Sequence, residues 1–550
     1  MSDNPLKLFC VVDGETTPFP ITIDSTKTIG DLKDLIKAAL TPQFDDITAK
    51  DLILWRVIDS DNNDDETPIF LDNQPNKEKL RATKKLFMVF DAELPEDTIH
   101  VIVKQPPPDP QYLPQKKRIR FEEDWRPFTA SDGTLVDLPP SWIELLASAE
   151  FVPEPRVAFE HLKGNLRAGD GITIPSMGQV PKEFGIHGQD HKLFVTEQML
   201  ELWEEMNGDQ KRPYRRILSG PMGVGKSYLS YFLAAKAYAE GWLVLYISDA
   251  KVLDKKKEEE SEMAMVKRFL ALNKDILTGA ELEMLVNDYD ATYNISTDAL
   301  SAIFDKLLMS RDRKTLLLVD EHGKLFEREP HVPDKFETLV PLSSFAWWGE
   351  DAKGSRLVFT GTAHAKYEMT NLPENYRQES VVFVGPLSRK VFSYLLDTYP
   401  RLKVQAIRSE VTEITNCVPR ELVNLSAAVK DLPDPISLDN LQKWSNDRAD
   451  DFLATALKYY QDLDPLYKQR FHNALLHTFL GSTSTVNFEW NFVDLGLIYR
   501  SKVVGQVGTQ HHILCRPAQA ALLELFKTLP LPDNIKKRIV TAALAGTNLR

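Results

Sequence analysis

Eight consecutive residues near the middle of the chain match the pattern G-x-x-x-x-G-K-[ST], which binds nucleotide phosphates. They are Gly220, Pro221, Met222, Gly223, Val224, Gly225, Lys226 and Ser227. The glycines allow tight turns close to a ligand, so that successive amide N–H groups point at phosphate oxygens. Lys226 would neutralise the β- and γ-phosphates, and the Ser227 hydroxyl would bind Mg²⁺. The pattern therefore predicts a site for a nucleotide with its Mg²⁺ ion.

Two adjacent carboxylates, Asp320 and Glu321, follow the apolar run Leu316–Val319 further along the chain. Such a run suits a strand that is buried on both faces of a parallel sheet. Asp320 at its carboxyl end would help to hold the Mg²⁺ shell, and Glu321 would orient or deprotonate an attacking water. The alternative is a buried strand that ends in a solvated acidic turn. Because both motifs occur in the order that nucleotide-binding domains use, we favour the nucleotide site.

The elements that must position these residues can be found around them. Residues 216–218 supply the end of a strand before the glycine loop, and Ser227 to Ala239 reads as a helix. Further apolar strands are predicted at 242–247, 316–319, 356–360 and 381–384. Strands that alternate with helices imply an α/β parallel sheet, with the ligand at the carboxyl ends of the strands.

This arrangement resembles the AAA-like branch of P-loop ATPases, which implies ATP as the nucleotide and a helical lid after the sheet. The resemblance implies that Thr360 or Thr362, after the fourth strand, senses the γ-phosphate. The segment Asn416–Leu422 looks like the family's G-x-P-R segment at a helix start, so Arg420 would be a second sensor, although Cys417 departs from the usual small residue. The alternative for Arg420 is an ordinary surface arginine. The resemblance also implies self-association.

Residues 1–103 have a different pattern from the rest. Strands are predicted at 6–12, 20–23, 52–57, 86–90 and 99–103, and Thr28 with Asp31 forms a capping box at the start of a helix. A hairpin, a helix and then more strands is the order of a ubiquitin-like α+β roll. The alternative is another small α+β domain.

Two motifs in this region give it a specific resemblance. Residues 6–11, Leu-Lys-Leu-Phe-Cys-Val, look like the L-x-L-F-L-A-K segment of Crinkler (CRN) effectors, and residues 100–106 are close to the H-V-L-V-x-x-P motif that closes their amino-terminal domain. The resemblance implies a secreted effector that enters host cells, reaches the host nucleus and acts there on host nuclear proteins during symbiosis or virulence. It also implies a P-loop ATPase behind a ubiquitin-like domain. Residues 8–12 are too short an apolar stretch for a classical signal peptide.

Composition narrows the function classes. The chain has 550 residues, which predicts two to four domains, and its net charge of −14 argues against whole-chain attraction to DNA or to an anionic membrane. The three cysteines form no close pair, so we expect neither a disulfide framework nor a zinc site. The sequence contains no apolar run long enough for a transmembrane helix.

We divide the chain into six parts. They are the ubiquitin-like domain 1–103, a Pro-rich and basic linker 104–124, a connecting region 125–194, the P-loop core 195–400, a helical lid 401–464 and a winged-helix-like domain 465–550. The linker carries Lys116-Lys117-Arg118-Ile119-Arg120, which is either a nuclear localisation signal or a solvated basic face. The carboxyl-terminal part has helices and a glycine-bearing hairpin, which suits contact with protein or DNA. It has no P-D…[DE]-x-K pattern after residue 430, so we predict no nuclease.

Three functions are compatible with these patterns. The first is a host-directed effector that uses ATP binding and hydrolysis as a motor or switch. The second is an effector in which the nucleotide only stabilises an interaction scaffold. The third is an intracellular AAA-like ATPase that acts on nucleic acid, with the amino-terminal domain as an adaptor.

Overall fold

The structure is a computed structural model, and it describes the following residues: 5–13, 17–40, 49, 52–57, 71, 77–80, 84–90, 98–104, 125–181, 192–208, 214–253, 258–287, 313–321, 326–328, 336–338, 355–361, 381–480, 490–502, 509–530, 533 and 536–537. The chain divides into two compact units, residues 1–120 and 121–550. The division falls inside the Pro-rich linker. The basic cluster 116–120 lies outside the described residues.

The first unit is a five-stranded mixed sheet with one helix. Its elements are β1 (Pro5–Val12), β2 (Phe19–Asp24), α1 (Ile29–Ala39), β3 (Ile53–Val57), β4 (Lys77–Lys79) and β5 (Val101–Lys104). The strand order is β2-β1-β5-β3-β4, and β1 and β5 are parallel. Helix α1 begins with the predicted capping box, in which Thr28 and Asp31 bond each other's backbone. Its apolar residues Ile29, Leu32 and Ile36 are buried against the sheet.

The two motifs that flank this unit bind each other. The Phe9 backbone N–H donates to His100 Nδ1 at 3.0 Å, and the His100 N–H donates to the Phe9 carbonyl at 2.9 Å. The histidine ring also stacks on the Phe9 ring, with centroids 6.1 Å apart. The first and last strands of the unit are therefore tied together by residues from both motifs.

One predicted strand in this unit is wrong. Residues 86–88 form a 3₁₀ helix, Leu86–Met88, instead of a strand. Leu86, Val89 and Phe90 are all buried while Phe87 is 55% exposed. This spacing of three and four residues is helical, whereas a half-buried strand would alternate with a period of two.

The second unit begins with two small antiparallel hairpins and two helices. These elements are β6 (Arg126–Thr129), β7 (Leu135–Leu138), α2 (Pro140–Ala147), β8 (Gly171–Thr173), β9 (Lys192–Phe194) and α3 (Glu197–Asn207). Thr196 caps α3 by accepting a hydrogen bond from the Met199 N–H. The helix therefore begins at Glu197, directly after its capping residue.

A five-stranded parallel sheet forms the centre of this unit. The next elements are β10 (Tyr214–Ser219), α4 (Lys226–Ala239), β11 (Leu243–Ile247), α5 (Glu258–Asn273), α6 (Gly279–Asn287), β12 (Thr315–Val319), β13 (Phe326–Arg328), β14 (Phe336–Thr338), β15 (Ser355–Gly361) and β16 (Val381–Phe383). The sheet order is β11-β12-β15-β10-β16, and every pairing in it is parallel. Strands β13 and β14 form a separate antiparallel pair. The predicted parallel α/β sheet is confirmed.

Both faces of the central sheet are buried. Leu316 and Leu318 on β12 pack toward α4, whereas Leu317 and Val319 pack on the other face with α2, α5 and α6. Each buried leucine or valine side chain contributes about 1.5–3 kcal/mol by leaving water. Covered faces explain why β11 and β12 are continuous apolar runs with every residue buried.

Helices and one hairpin complete the chain. They are α7 (Arg389–Asp397), α8 (Gln405–Thr415), α9 (Pro419–Ala428), α10 (Leu438–Gln461), α11 (Pro465–Leu480), α12 (Trp490–Asp494), β17 (Ile498–Lys502), β18 (Thr509–Ile513) and α13 (Arg516–Thr528). Strands β17 and β18 pair antiparallel, as expected for the predicted glycine-bearing hairpin. The longest helix, α10, packs extensively against α13. The ubiquitin-like and winged-helix-like assignments stay predictions.

Within the described part of the chain, no helix combines the length and apolar character needed to cross a membrane.

Candidate nucleotide-binding site

The phosphate loop, residues 220–227, connects β10 to α4 at the carboxyl edge of the sheet. Gly223 and Gly225 have φ values of +87° and +100°, in the left-handed region that favours glycine. Gly220 is required for another reason, because a Cβ there would lie 2.1 Å from the Val384 carbonyl oxygen. Val224 is buried, whereas Met222 is 49% exposed. The loop thus has the turns that bring backbone amides to the start of a helix, where anions bind.

Lys226 is folded into the loop. Its Nζ donates to the carbonyl oxygens of Gly220 at 2.8 Å and Pro221 at 2.7 Å, and the residue is buried. Burial lowers the pKa of Lys226 to about 8, although the charges of Asp320 and Glu321 oppose the shift. The ammonium group is therefore held among the loop carbonyls next to two acidic residues, where a phosphate would compete for it.

Asp320 and Ser227 come together, as a shared metal shell requires. Ser227 Oγ donates to Asp320 Oδ1 at 3.2 Å, and Asp320 is 1% exposed. Burial raises the pKa of Asp320 to about 7. A divalent cation would favour the ionised carboxylate, and a hydroxyl with a carboxylate is the oxygen donor set that Mg²⁺ takes beside nucleotide phosphates. No cluster of three or more His, Cys, Asp or Glu side chains suited to a metal occurs among the described residues.

Glu321 follows Asp320 at the start of the turn after β12. Its φ is +57°, an uncommon value for a residue with a side chain, and its backbone N–H donates to Asp320 Oδ1 at 2.9 Å. Such backbone outliers concentrate at functional sites. Unlike Asp320, Glu321 is only half-buried. The turn thus separates a buried carboxylate from a more accessible one.

Thr360 lies on the strand between β12 and β10, at the same carboxyl edge. It pairs in register with Leu218, one residue before the end of β10. The Thr360 hydroxyl is fully buried and has no hydrogen-bond partner among the described residues. An unsatisfied buried hydroxyl costs about 1–3 kcal/mol. A ligand oxygen that accepted a hydrogen bond from it would offset this cost. Thr362, the other predicted sensor, lies outside the described residues.

Arg420 is brought to the phosphate loop by the first turn of α9. Its backbone N–H donates to the Gly223 carbonyl at 3.2 Å, and a Cβ on Gly223 would lie 2.3 Å from the Arg420 Cβ. Asn416 and Cys417, just before the helix, have φ values of +48° and +59°. Two consecutive residues in the left-handed region therefore form the turn before α9, although Cys417 departs from the small residue of the family pattern. Arg420 also lies near enough to Lys226 for its charge to lower the pKa of that lysine.

Several residues of the site were not predicted from the sequence. Glu421, next to Arg420, is buried and accepts both 2.9 Å hydrogen bonds of a bidentate pair with Arg448 on α10. From β17, Arg500 Nη2 donates to Ser219 Oγ at 3.1 Å. These partners are 27 and 281 residues apart in the chain, and no local pattern marks them.

Comparison with solved structures finds matches of low sequence identity and low TM-score. The chain is 12% identical to the Aeropyrum pernix ORC2 protein in its ADPNP–ADP complexes, with a TM-score of 0.31 over 64% of this chain and 94% of that one. It is 14% identical to AMPPCP-bound DnaA from Aquifex aeolicus, with a TM-score of 0.29 over 56% and 80% of the two chains. Cdc6p of Pyrobaculum aerophilum is 15% identical to the chain, with a TM-score of 0.29 over 68% of this chain and 99% of that one.

Comparison by sequence concerns the amino-terminal unit. Residues 6–104 match the family model for the Crinkler effector protein N-terminal domain. The chain is also 37% identical over 103 residues to Crinkler effector protein 1 of Rhizophagus irregularis, a match that covers 18% of this chain and 22% of that protein. The alignment thus spans about a fifth of each protein. The match includes both motifs that meet at Phe9 and His100, and the chain therefore carries a Crinkler effector N-terminal domain.

Proposed function

We propose that this chain is a Crinkler-type effector whose second unit is an AAA-like ATPase that binds ATP with Mg²⁺ and hydrolyses it. The observation that carries the proposal is the convergence at one sheet edge of the phosphate loop, Asp320, Thr360 and Arg420 from four separate segments. The effector part of the proposal is supported by the amino-terminal domain. Delivery into a host cell and action on host nuclear proteins follow from that support and are proposals too.

Each residue has a role in this mechanism. The loop amides and Lys226 bind the phosphates, and Ser227 with Asp320 holds the Mg²⁺, which supplies charge neutralisation when bound. Glu321 accepts a proton from the attacking water or orients it. Thr360 donates its hydroxyl hydrogen to the γ-phosphate, and Arg420 places a cation over the phosphates from the lid. Catalysis of this kind is mainly positioning and electrostatic stabilisation.

The experiment that tests the enzyme is ATP turnover by the purified full chain and two variants. Glu321→Gln should keep ATP binding and lower turnover by about 100-fold or more, because proton transfer is lost. Lys226→Ala should lose binding itself. The matched control is Glu283→Gln, an exposed acid on α6, which should behave as wild type. If wild type binds ATP but turns over no faster than the Glu321→Gln variant, the non-catalytic scaffold replaces the enzyme.

The effector proposal is tested by location. A tagged protein should be found in host cells of colonised tissue and accumulate in their nuclei. Neutralising Lys116, Lys117, Arg118 and Arg120 should abolish nuclear accumulation without changing expression. Retention of the protein inside the producing cell would refute delivery and favour an intracellular ATPase that acts on nucleic acid. Unchanged nuclear accumulation of the variant would reject the basic cluster as the signal.

A further inference from the structure

The carboxyl-terminal hairpin contacts the strand that leads into the phosphate loop. Arg500 on β17 donates to the Ser219 hydroxyl, and its guanidinium lies 4.7 Å from the centroid of the Phe383 ring. Ser219 and Phe383 are register partners, the last residues of β10 and β16. Arg500 therefore covers the end of both strands at once, directly before Gly220.

The packing at this junction leaves little room for movement. A Cβ on Gly385 would lie 2.9 Å from Tyr499 Cδ2, and a Cβ on Gly220 would contact the Val384 carbonyl. The turn before α9 is also bonded to the end of the hairpin, because Asn416 Nδ2 donates to the Leu514 carbonyl at 2.9 Å. A shift of the hairpin would therefore move the start of the phosphate loop and the turn that places Arg420.

We propose that Arg500 is a positioning residue of the nucleotide site and that it supports ATP binding. The inference rests on the proposed function, in which the phosphate loop binds ATP. Arg500 holds the end of β10, through Ser219, in the position from which the loop starts. The carboxyl-terminal hairpin is thereby coupled to nucleotide binding.

The role of Arg500 is tested with a double-mutant cycle on the full chain, using ATP with Mg²⁺ as the probe. Arg500→Ala and Ser219→Ala should each weaken ATP binding, by about fivefold for the arginine, and the double variant should bind no more weakly than Arg500→Ala alone. Arg470→Ala is the matched control, because Arg470 is an exposed arginine of the same domain that lies over Tyr467. Additive losses, or an unchanged dissociation constant for Arg500→Ala, would overturn the role.

A failure of the proposed nucleotide site can be distinguished from a failure of the proposed coupling. If wild type shows no ATP binding, the proposed nucleotide site is wrong and the variants are irrelevant to it. If wild type binds ATP while the Arg500→Ala variant matches it and remains folded by thermal unfolding, the nucleotide site stands and only the coupling is refuted.

Discussion

At the scale of single residues, burial separates chemical roles that look alike in the sequence. Asp320 and Glu321 are neighbours, yet the first is buried with a pKa raised by burial to about 7 and the second is half-exposed. Lys226 is buried among carbonyl oxygens that lie in the loop preceding it. The proposed function gives the metal, the water and the phosphates to different side chains, in keeping with these differences.

The pKa of Lys226 predicts how ATP binding depends on pH. Burial lowers it to about 8, so the amine loses its proton, and with it the charge that attracts phosphate, as the pH rises through that value. ATP affinity should therefore fall between about pH 7 and about pH 9.5, well below the pKa of an ordinary lysine. Titration of ATP at several pH values checks this. Lys226→Arg should remove the decline, and a decline that persists in this variant would assign it to another group.

The phosphate-loop glycines provide a matched pair. Gly223→Ala and Gly225→Ala each force a side chain into the left-handed region, at about 1–2 kcal/mol. A Cβ at Gly225 meets no atom within 4 Å, whereas one at Gly223 overlaps the Arg420 side chain. We expect Gly223→Ala to lower ATP affinity and the unfolding temperature more than Gly225→Ala. Equal effects in both assays would mean that α9 does not rest on Gly223.

At the scale of elements, the core strands could be predicted because each is an apolar run between polar breaks. The runs before Asp320 and at 356–360 are strands of the central sheet within one or two residues of the expected bounds. Residues 86–90 were predicted wrongly as a strand. All five are apolar, so their pattern suits either a helical or a strand period, and burial in the folded unit is helical. The short edge strand β4, Lys-Glu-Lys, has no apolar pattern to reveal it.

The pair between Glu421 and Arg448 predicts how α9 is held. Glu421→Ala would leave Arg448 without its bidentate partner next to Phe452, and the loss should be about 3 kcal/mol of unfolding free energy, since Arg448 retains some solvent contact. ATP affinity should fall with it, because Arg420 adjoins Glu421. Denaturant unfolding measures the first effect. The exposed pair of Arg389 with Glu413 is the control, and Glu413→Ala should cost less than about 1 kcal/mol. Similar losses in both variants would contradict a special role for Glu421.

At the scale of the whole molecule, the chain is two units with separate hydrophobic cores. The core of the amino-terminal unit contains residues of α1 and β1, while the cores of the second unit lie on the two faces of the parallel sheet. The Crinkler motifs belong to the first unit and the nucleotide motifs to the second. Under the proposed function, delivery and ATP chemistry therefore belong to different units.

Separate cores predict two unfolding transitions. ATP with Mg²⁺ should raise the transition of residues 121–550 only, by about 2.7 kcal/mol at a concentration of 100 times the dissociation constant. Calorimetry of the full chain, compared with a fragment of residues 1–120, identifies each transition. A single transition that ATP shifts as a whole would show that the two units unfold together.

The sequence by itself determined the phosphate loop, the acidic pair after the apolar run 316–319, the capping box of α1 and the two Crinkler motifs. These are local signals, in which residues a few positions apart act together. Only the tertiary structure decided that Phe9 binds His100, that Thr360 carries a buried hydroxyl at the edge of the site, and that Glu421, Arg448 and Arg500 support it. Their partners are distant in the chain and come together only when the parallel sheet folds. No local sequence pattern at either partner therefore reveals the contact.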